Sequence, residues 1–238
     1  MPLPKSSTPV YELELPSIKK KIKYRPFLVK EEKVLILALE SEDMKQITTA
    51  VKNVLQACIL SRGVKVDTLS TFDIEYLFLN VRGKSVGEEI EVVVTCPDDG
   101  ETTVDVVINI DEIKVSVDPE HTRDIKLDDV LSVRMRYPSL NEFAKSNFSE
   151  GNVGMDQGFQ IISDCIEMIY NDEESWAASD STKKELTEFV ENLTSAQFAN
   201  VEKFFSTMPK LSHTLTVTNP KTGEDNEIVL EGLASFFG

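Results

Sequence analysis

Apolar residues along this chain switch repeatedly between a period of two and a period near 3.6. Tyr11, Leu13 and Leu15 alternate with polar residues, Pro16-Ser17 turns the chain, and Ile22 and Tyr24 alternate again. That spacing predicts a β-hairpin, with Lys19-Lys20-Lys21 at a basic, solvated tip. Pro26 ends the second strand. Residues 30–41 are rich in Glu, Lys, Leu and Ala and predict a helix. Ser41-Glu42-Asp43 then caps a second helix, whose stripe of Met44, Ile47, Val51, Val54, Leu55, Cys58 and Ile59 lies on one face until Arg62-Gly63. A third helix begins near Asp67-Thr68 or Thr71. It is apolar on more than one side from Phe72 to Val81, so it should sit at the centre of its unit and stop near Gly83. Ile90, Val92 and Val94 alternate as a strand, Cys96-Pro97-Asp98-Asp99-Gly100 turns, and Thr103 to Ile110 returns.

Residues 111–123 form a polar connection with one short alternation, Ile113-Val115-Val117, and the boundary between halves is placed here. Leu131, Val133, Met135 and Tyr137 alternate until Pro138. A short helix is expected from Leu140 to Lys145, and a long one carrying Met155, Phe159, Ile162, Cys165, Ile166, Ile169 and Tyr170. An acidic loop, Asn171 to Glu174, leads past Trp176, which is read as a satellite core residue with an interface anchor as the alternative. Ser181 or Thr182 caps a helix through Leu193, and Thr194 or Ser195 caps another through Phe205. After Pro209, the run from His213 to Thr218 pairs with Glu227 to Leu230, and the chain continues through Leu233-Ala234-Ser235-Phe236-Phe237.

The two halves share one order of elements. Ile22 and Tyr24 match Met135 and Tyr137. Val51, Val54, Leu55, Cys58 and Ile59 match Ile162, Cys165, Ile166, Ile169 and Tyr170 at a constant shift. Val94-Thr95-Cys96-Pro97-x-x-Gly100-Glu101 reads against Val217-Thr218-Asn219-Pro220-x-x-Gly223-Glu224. Any one of these matches could arise by chance, but their common order argues for an internal duplication. The expected architecture is α+β: a flexible tail at 1–8, a first unit at 9–117 and a similar second unit at 118–238, each a small helical cluster with β-hairpins.

Charge and chemistry narrow the function. The net charge of −16 argues against sequence-independent binding to nucleic acid or anionic lipid and favours a basic partner surface. The N-terminus is too polar and proline-rich for a signal peptide, and no apolar run approaches bilayer length. A soluble protein is therefore expected. Cys58, Cys96 and Cys165 are an odd set without a close pair, which suits a reducing compartment. His121 and His213 have no companions at metal-ligand spacing. The Cys96 turn has the shape of a zinc-ribbon knuckle with one thiol, and its counterpart offers Asn219, so no bound metal or other cofactor is expected. No Gly-rich phosphate loop or nucleophile elbow is present. The acidic pairs at 98–99, 111–112 and 128–129 and the acidic run at 172–174 read as solvated or capping groups.

The opening Pro-x-Tyr-Glu-Leu-Glu-Leu-Pro-Ser (9–17) with Ile22-Lys23-Tyr24-Arg25-Pro26-Phe27-Leu28-Val29-Lys30-Glu31-Glu32-Lys33, the stretch from Phe72 to Gly87, and the segment Gly232-Leu233-Ala234-Ser235-Phe236-Phe237 resemble the baseplate hub subunit family of T-even-like contractile-tailed phages. The resemblance is strongest in the first 100 residues. It implies a non-enzymatic structural or assembly role in the hub at the end of the tail, with other hub proteins as partners. It implies assembly in the host cytoplasm, with the virion tail baseplate as a further location. It also implies Cys-Pro-x-Cys-Gly turns in some relatives. Here Asp99 stands where the second cysteine would lie, so metal binding is not carried over.

Candidate partner contacts are Ile22, Tyr24, Phe27 and Leu28, the turn residues Pro97, Gly100, Pro220 and Gly223, and Phe236 and Phe237. Deleting residues 232–238 is expected to abolish assembly while leaving the chain folded. One rival is a transient chaperone absent from the finished particle. A second is a cell-wall hydrolase using paired carboxylates, and a third is a degenerate zinc-ribbon nucleic-acid binder.

Overall fold

A computed structural model describes residues 7–41, 43–139, 142 and 155–236. In chain order the strands are β1 (Tyr11–Leu15), β2 (Lys20–Tyr24), β3 (Glu89–Thr95), β4 (Thr103–Asn109), β5 (Lys114–Ser116), β6 (Asp124–Lys126), β7 (Ser132–Met135), β8 (Ile166–Tyr170), β9 (Ser175–Ala177), β10 (Lys210–Thr218) and β11 (Asp225–Glu231). The α-helices are α1 (Val29–Glu40), α2 (Met44–Cys58), α3 (Thr71–Val86), α4 (Met155–Asp164), α5 (Lys183–Glu191) and α6 (Ser195–Thr207). The class is α+β, as expected. Residues 1–6 of the expected tail and most of the expected helix at Leu140–Lys145 lie outside the described residues.

The chain divides into two compact units. One is residues 1–116 with 210–238, and the other is 117–209. The division differs from the sequence expectation of 9–117 and 118–238 at one element. The C-terminal hairpin belongs with the first unit because β10 pairs with β5, Leu211 opposite Val115. Strand pairing across about a hundred residues leaves no local trace in the sequence.

In the first unit, β1 and β2 pair antiparallel with Leu13 opposite Ile22, and the alternation buries Leu13, Leu15, Ile22 and Tyr24. The turn between them is tied down by Asp73 in the first turn of α3. The Ser17 amide donates to Asp73 Oδ1 at 3.1 Å and the Ser17 hydroxyl donates to Oδ2. Asp73 is fully buried, and burial pushes its carboxyl above the usual range despite these bonds. Asp73→Ala should cost about 2 kcal/mol, because it orphans the Ser17 donors. Asp73→Asn should stay within about 1 kcal/mol of the parent, since an amide oxygen still accepts and the buried charge is gone. Urea denaturation of the two variants checks this order.

Helix α3 runs past Gly83 to Val86, and Gly87 ends it at φ +135°. Gly83 is a close-approach glycine within the helix: a Cβ there would sit 3.0 Å from Ile110 Cδ1. The hairpin β3–β4 and the sheet β11–β10–β5 share one core. Leu79, Ile90, Val92, Ile108, Leu211, Leu215 and Phe236 meet in it. Alternation along β3 sends Ile90, Val92 and Val94 inward and leaves Val93 exposed.

The second unit is a four-stranded antiparallel sheet, β6–β7–β8–β9, packed with α4, α5 and α6 around Val133, Met135, Ile166, Val190, Val201 and Phe204. Thr182 with Glu185 and Thr194 with Gln197 form capping boxes at the starts of α5 and α6. The expected helix through Tyr170 stops at Asp164, and Ile166 begins a strand. Trp176 lies in β9 opposite Ile169 and is exposed.

Candidate interaction surfaces

Corresponding local frameworks organise the two units. In the first, the backbone N–H of Arg25 donates to the Cys58 carbonyl at 3.0 Å, and the Arg25 guanidinium pairs with both Glu31 oxygens at 2.8 Å. Glu31 in turn accepts the Leu28 amide at 2.7 Å, so one buried carboxylate closes the start of α1 and neutralises a half-buried arginine. In the second unit the Arg136 amide donates to the Cys165 carbonyl at 2.8 Å, its guanidinium pairs with both Glu142 oxygens, and Glu142 accepts the Ser139 amide at 2.7 Å. Tyr24 bridges Ile59 as Met135 pairs with Ile166.

Cys58 and Cys165 are fully buried in these frameworks, and burial pushes their thiols up to about 11 and about 12. Thiols buried in this way serve as small apolar side chains. Glu31 is held below the usual carboxylate range, first by the Arg25 hydrogen bond. For Glu142 burial is the largest effect and opposes ionisation, but Arg136 and the Ser139 amide outweigh it and the net shift is downward.

Helix α1 is inverted. Its buried positions are Glu31 and Ala38, while Val29, Leu37 and Leu39 are 82%, 54% and 60% exposed and Val34 and Ile36 are also exposed. The helix is held by its arginine-bound carboxylate and offers aliphatic side chains to solvent. Between α1 and α2 runs an open groove of about 470 Å³ lined by Val34, Leu37, Ala38, Thr49 and Ala50. Sequence reasoning placed this helix without assigning it a face. The available signal was the unbroken apolar run from Val34 to Leu39, which exceeds what one buried stripe requires.

The expected contact residues fall into separate places. Ile22, Tyr24 and Phe236 are buried in the first unit's own core. Phe27 and Leu28 are half-buried at the entry to α1, with the Phe27 amide donating to Ser85 Oγ at 3.0 Å. Pro97, Gly100, Pro220 and Gly223 are exposed at the two hairpin tips, and Phe237 lies outside the described residues. The structure brings those two tips together. Asn219 Nδ2 donates to both Asp98 carboxylate oxygens at 2.8 and 3.0 Å, Thr222 donates its hydroxyl to Asp98, and the Asp98 amide donates to Asn226 Oδ1 at 3.1 Å. Lys221 lies 3.6 Å from Asp99 and 3.4 Å from Glu101. The Thr222 and Asn219 bonds hold the Asp98 carboxyl below its ordinary range.

His121 and Asp128 are engaged locally. His121 lies between Thr207 Oγ1 and Tyr137 OH, each at 3.0 Å, and burial lowers its pKa. Asp128 accepts the Val130 and Leu131 amides at 2.8 Å. Among the described residues no group of three or more histidine, cysteine or carboxylate side chains could hold a metal, and no helix is long and apolar enough to cross a membrane.

No curated protein and no solved structure matches this chain. A family model described as T4 bacteriophage base plate protein matches residues 8–238. That match spans both compact units, so the chain belongs to the T4 bacteriophage base plate protein family and is a phage baseplate protein that interacts with other baseplate proteins.

Proposed function

We propose that this chain is a non-enzymatic structural or assembly component of the baseplate hub, joining other hub proteins through the exposed face of α1. The observation that carries this reading is the inverted helix: aliphatic side chains face solvent over three turns while a carboxylate is buried. An apolar helix face held rigidly from below suits burial against a partner. The net charge of −16 favours a partner with basic residues around an apolar centre and would speed the encounter. The exposed turns at Pro97 and Pro220 are secondary contacts in this reading, and the corresponding Arg–Glu frameworks support descent of the two halves from one duplicated unit.

The test is the double variant Ile36→Lys/Leu39→Lys. Lysine is a good helix former and its charge suits the C-terminal half of a helix, so the fold should be kept. Recovery of baseplate proteins with the tagged chain from infected cells should fall at least tenfold, with an unchanged thermal midpoint. Normal recovery and normal complementation would remove α1 from the interface. Mass spectrometry of purified virions separates a permanent subunit from a chaperone that leaves before completion.

A further inference from the structure

The two hairpin tips correspond beyond their shared proline and glycine. In each, the glycine amide donates to the carbonyl four residues earlier, Gly100 to Cys96 at 3.0 Å and Gly223 to Asn219 at 2.8 Å, with φ of +69° and +80°. The first residue of each turn, Cys96 or Asn219, is fully buried. Side-chain oxygens collect amides of their own turns. Asn219 Oδ1 accepts Lys221 and Thr222 at 2.8 and 3.4 Å, and Asp99 Oδ1 accepts Glu101 and Thr102 at 3.1 and 2.9 Å. Such outer-shell donors also fix ligands around a metal.

A structural zinc site built from two such turns takes its ligands at the first and fourth positions of each. Those positions are Cys96, Asp99, Asn219 and Thr222. One thiol with a carboxylate, an amide and a hydroxyl is a poor zinc set, and the Asn219 amide aims donor hydrogens, not a lone pair, at Asp98. Besides the Lys221 ion pairs, what joins the turns is Asp98, one of the two residues between the ligand positions, which gathers Asn219, Thr222 and Asn226 from the opposite tip.

We propose that the tips are a ribbon-type double knuckle whose metal position has been rebuilt as a hydrogen-bonded clasp centred on Asp98. The clasp makes the joint between the hairpins independent of metal supply, while the backbone frame of a four-ligand site remains.

Three measurements test it. The parent chain, purified without chelator, should contain less than a tenth of an equivalent of zinc, and a full equivalent would show that the metal has not been replaced. The triple variant Asp99→Cys/Asn219→Cys/Thr222→Cys, refolded with cobalt(II), should take up one equivalent with the visible spectrum of a tetrahedral thiolate site. Absence of that spectrum overturns the retained frame. In the otherwise unchanged chain, Asp98→Ala should speed amide exchange at Gly100, Gly223 and Asn219 at least tenfold while leaving Val92 and Leu215 protected. Unchanged exchange at the tips overturns the clasp even if the triple variant fails to fold.

Discussion

Phe236→Ala is expected to lower the unfolding free energy by about 3–5 kcal/mol, the usual cost of deleting a buried aromatic ring. Phe236 is 1% exposed and shares a core with Leu79, Ile90, Val92, Ile108 and Leu211. It reaches them from a 3-10 turn at Leu233–Phe236, entered through Gly232 at φ +72°. Urea denaturation reads the effect directly, and a loss below about 1 kcal/mol would place the ring outside the core. Removal of residues 232–238 takes this ring away too. The sequence-based expectation that such a truncation leaves the fold intact is therefore replaced: failed assembly after it would report unfolding as much as a lost contact.

The second large effect is Arg25→Ala, expected to cost about 3–5 kcal/mol because it strands Glu31 as an unpaired, buried carboxylate. The side chains of Arg25 and Glu31 are 15% and 9% exposed. Arg136 makes the corresponding contacts with Glu142 but its side chain is 38% exposed, so Arg136→Ala should cost visibly less. Replacing Arg25 and Glu31 together by Met and Leu should recover much of the loss, since an apolar pair of similar volume leaves no charge behind. Equal losses for Arg25→Ala and Arg136→Ala would mean that burial does not set the scale.

Local periodicity made much of the fold legible. The alternations around Leu13, Ile22 and Val92, the Asp43 cap and the two turn glycines are short-range signals, and each has its counterpart in the structure. Misreadings arose where a distant group decides the outcome. Helix α4 ends where Arg136 donates its guanidinium to the Asp164 carbonyl and its amide to the Cys165 carbonyl, 28 and 29 residues away in sequence. Nothing between Met155 and Tyr170 announces this, and Ile166 and Ile169 fit either period.

The local frameworks of the two units align in a different register from the apolar pattern for a related reason. The sequence paired Tyr24 with Tyr137 and Val54 with Cys165, whereas the hydrogen bonds set Tyr24 against Met135 and Cys58 against Cys165. Two residues along a strand, or four along a helix, return to the same face, so apolar patterns align nearly as well in the wrong register. The surface of α1 was less legible still. An apolar run states that burial is needed, and it does not say whether the chain or a partner provides it.

The path of the chain gives synthesis an order. Residues 117–209 form a compact unit from one continuous stretch of chain, but the unit begun by the first 116 residues lacks the central strand of its three-stranded sheet until β10 has been made. During translation the middle of the chain can thus reach its final packing first, while the inner faces of β3 and β4 wait for Leu211, Leu215 and Phe236. Those waiting faces carry Ile90, Val92, Val94 and Ile108, an apolar surface open to wrong pairings for as long as the final hairpin is missing. Ribosome stalling late in the message should therefore yield a soluble middle and a sticky beginning.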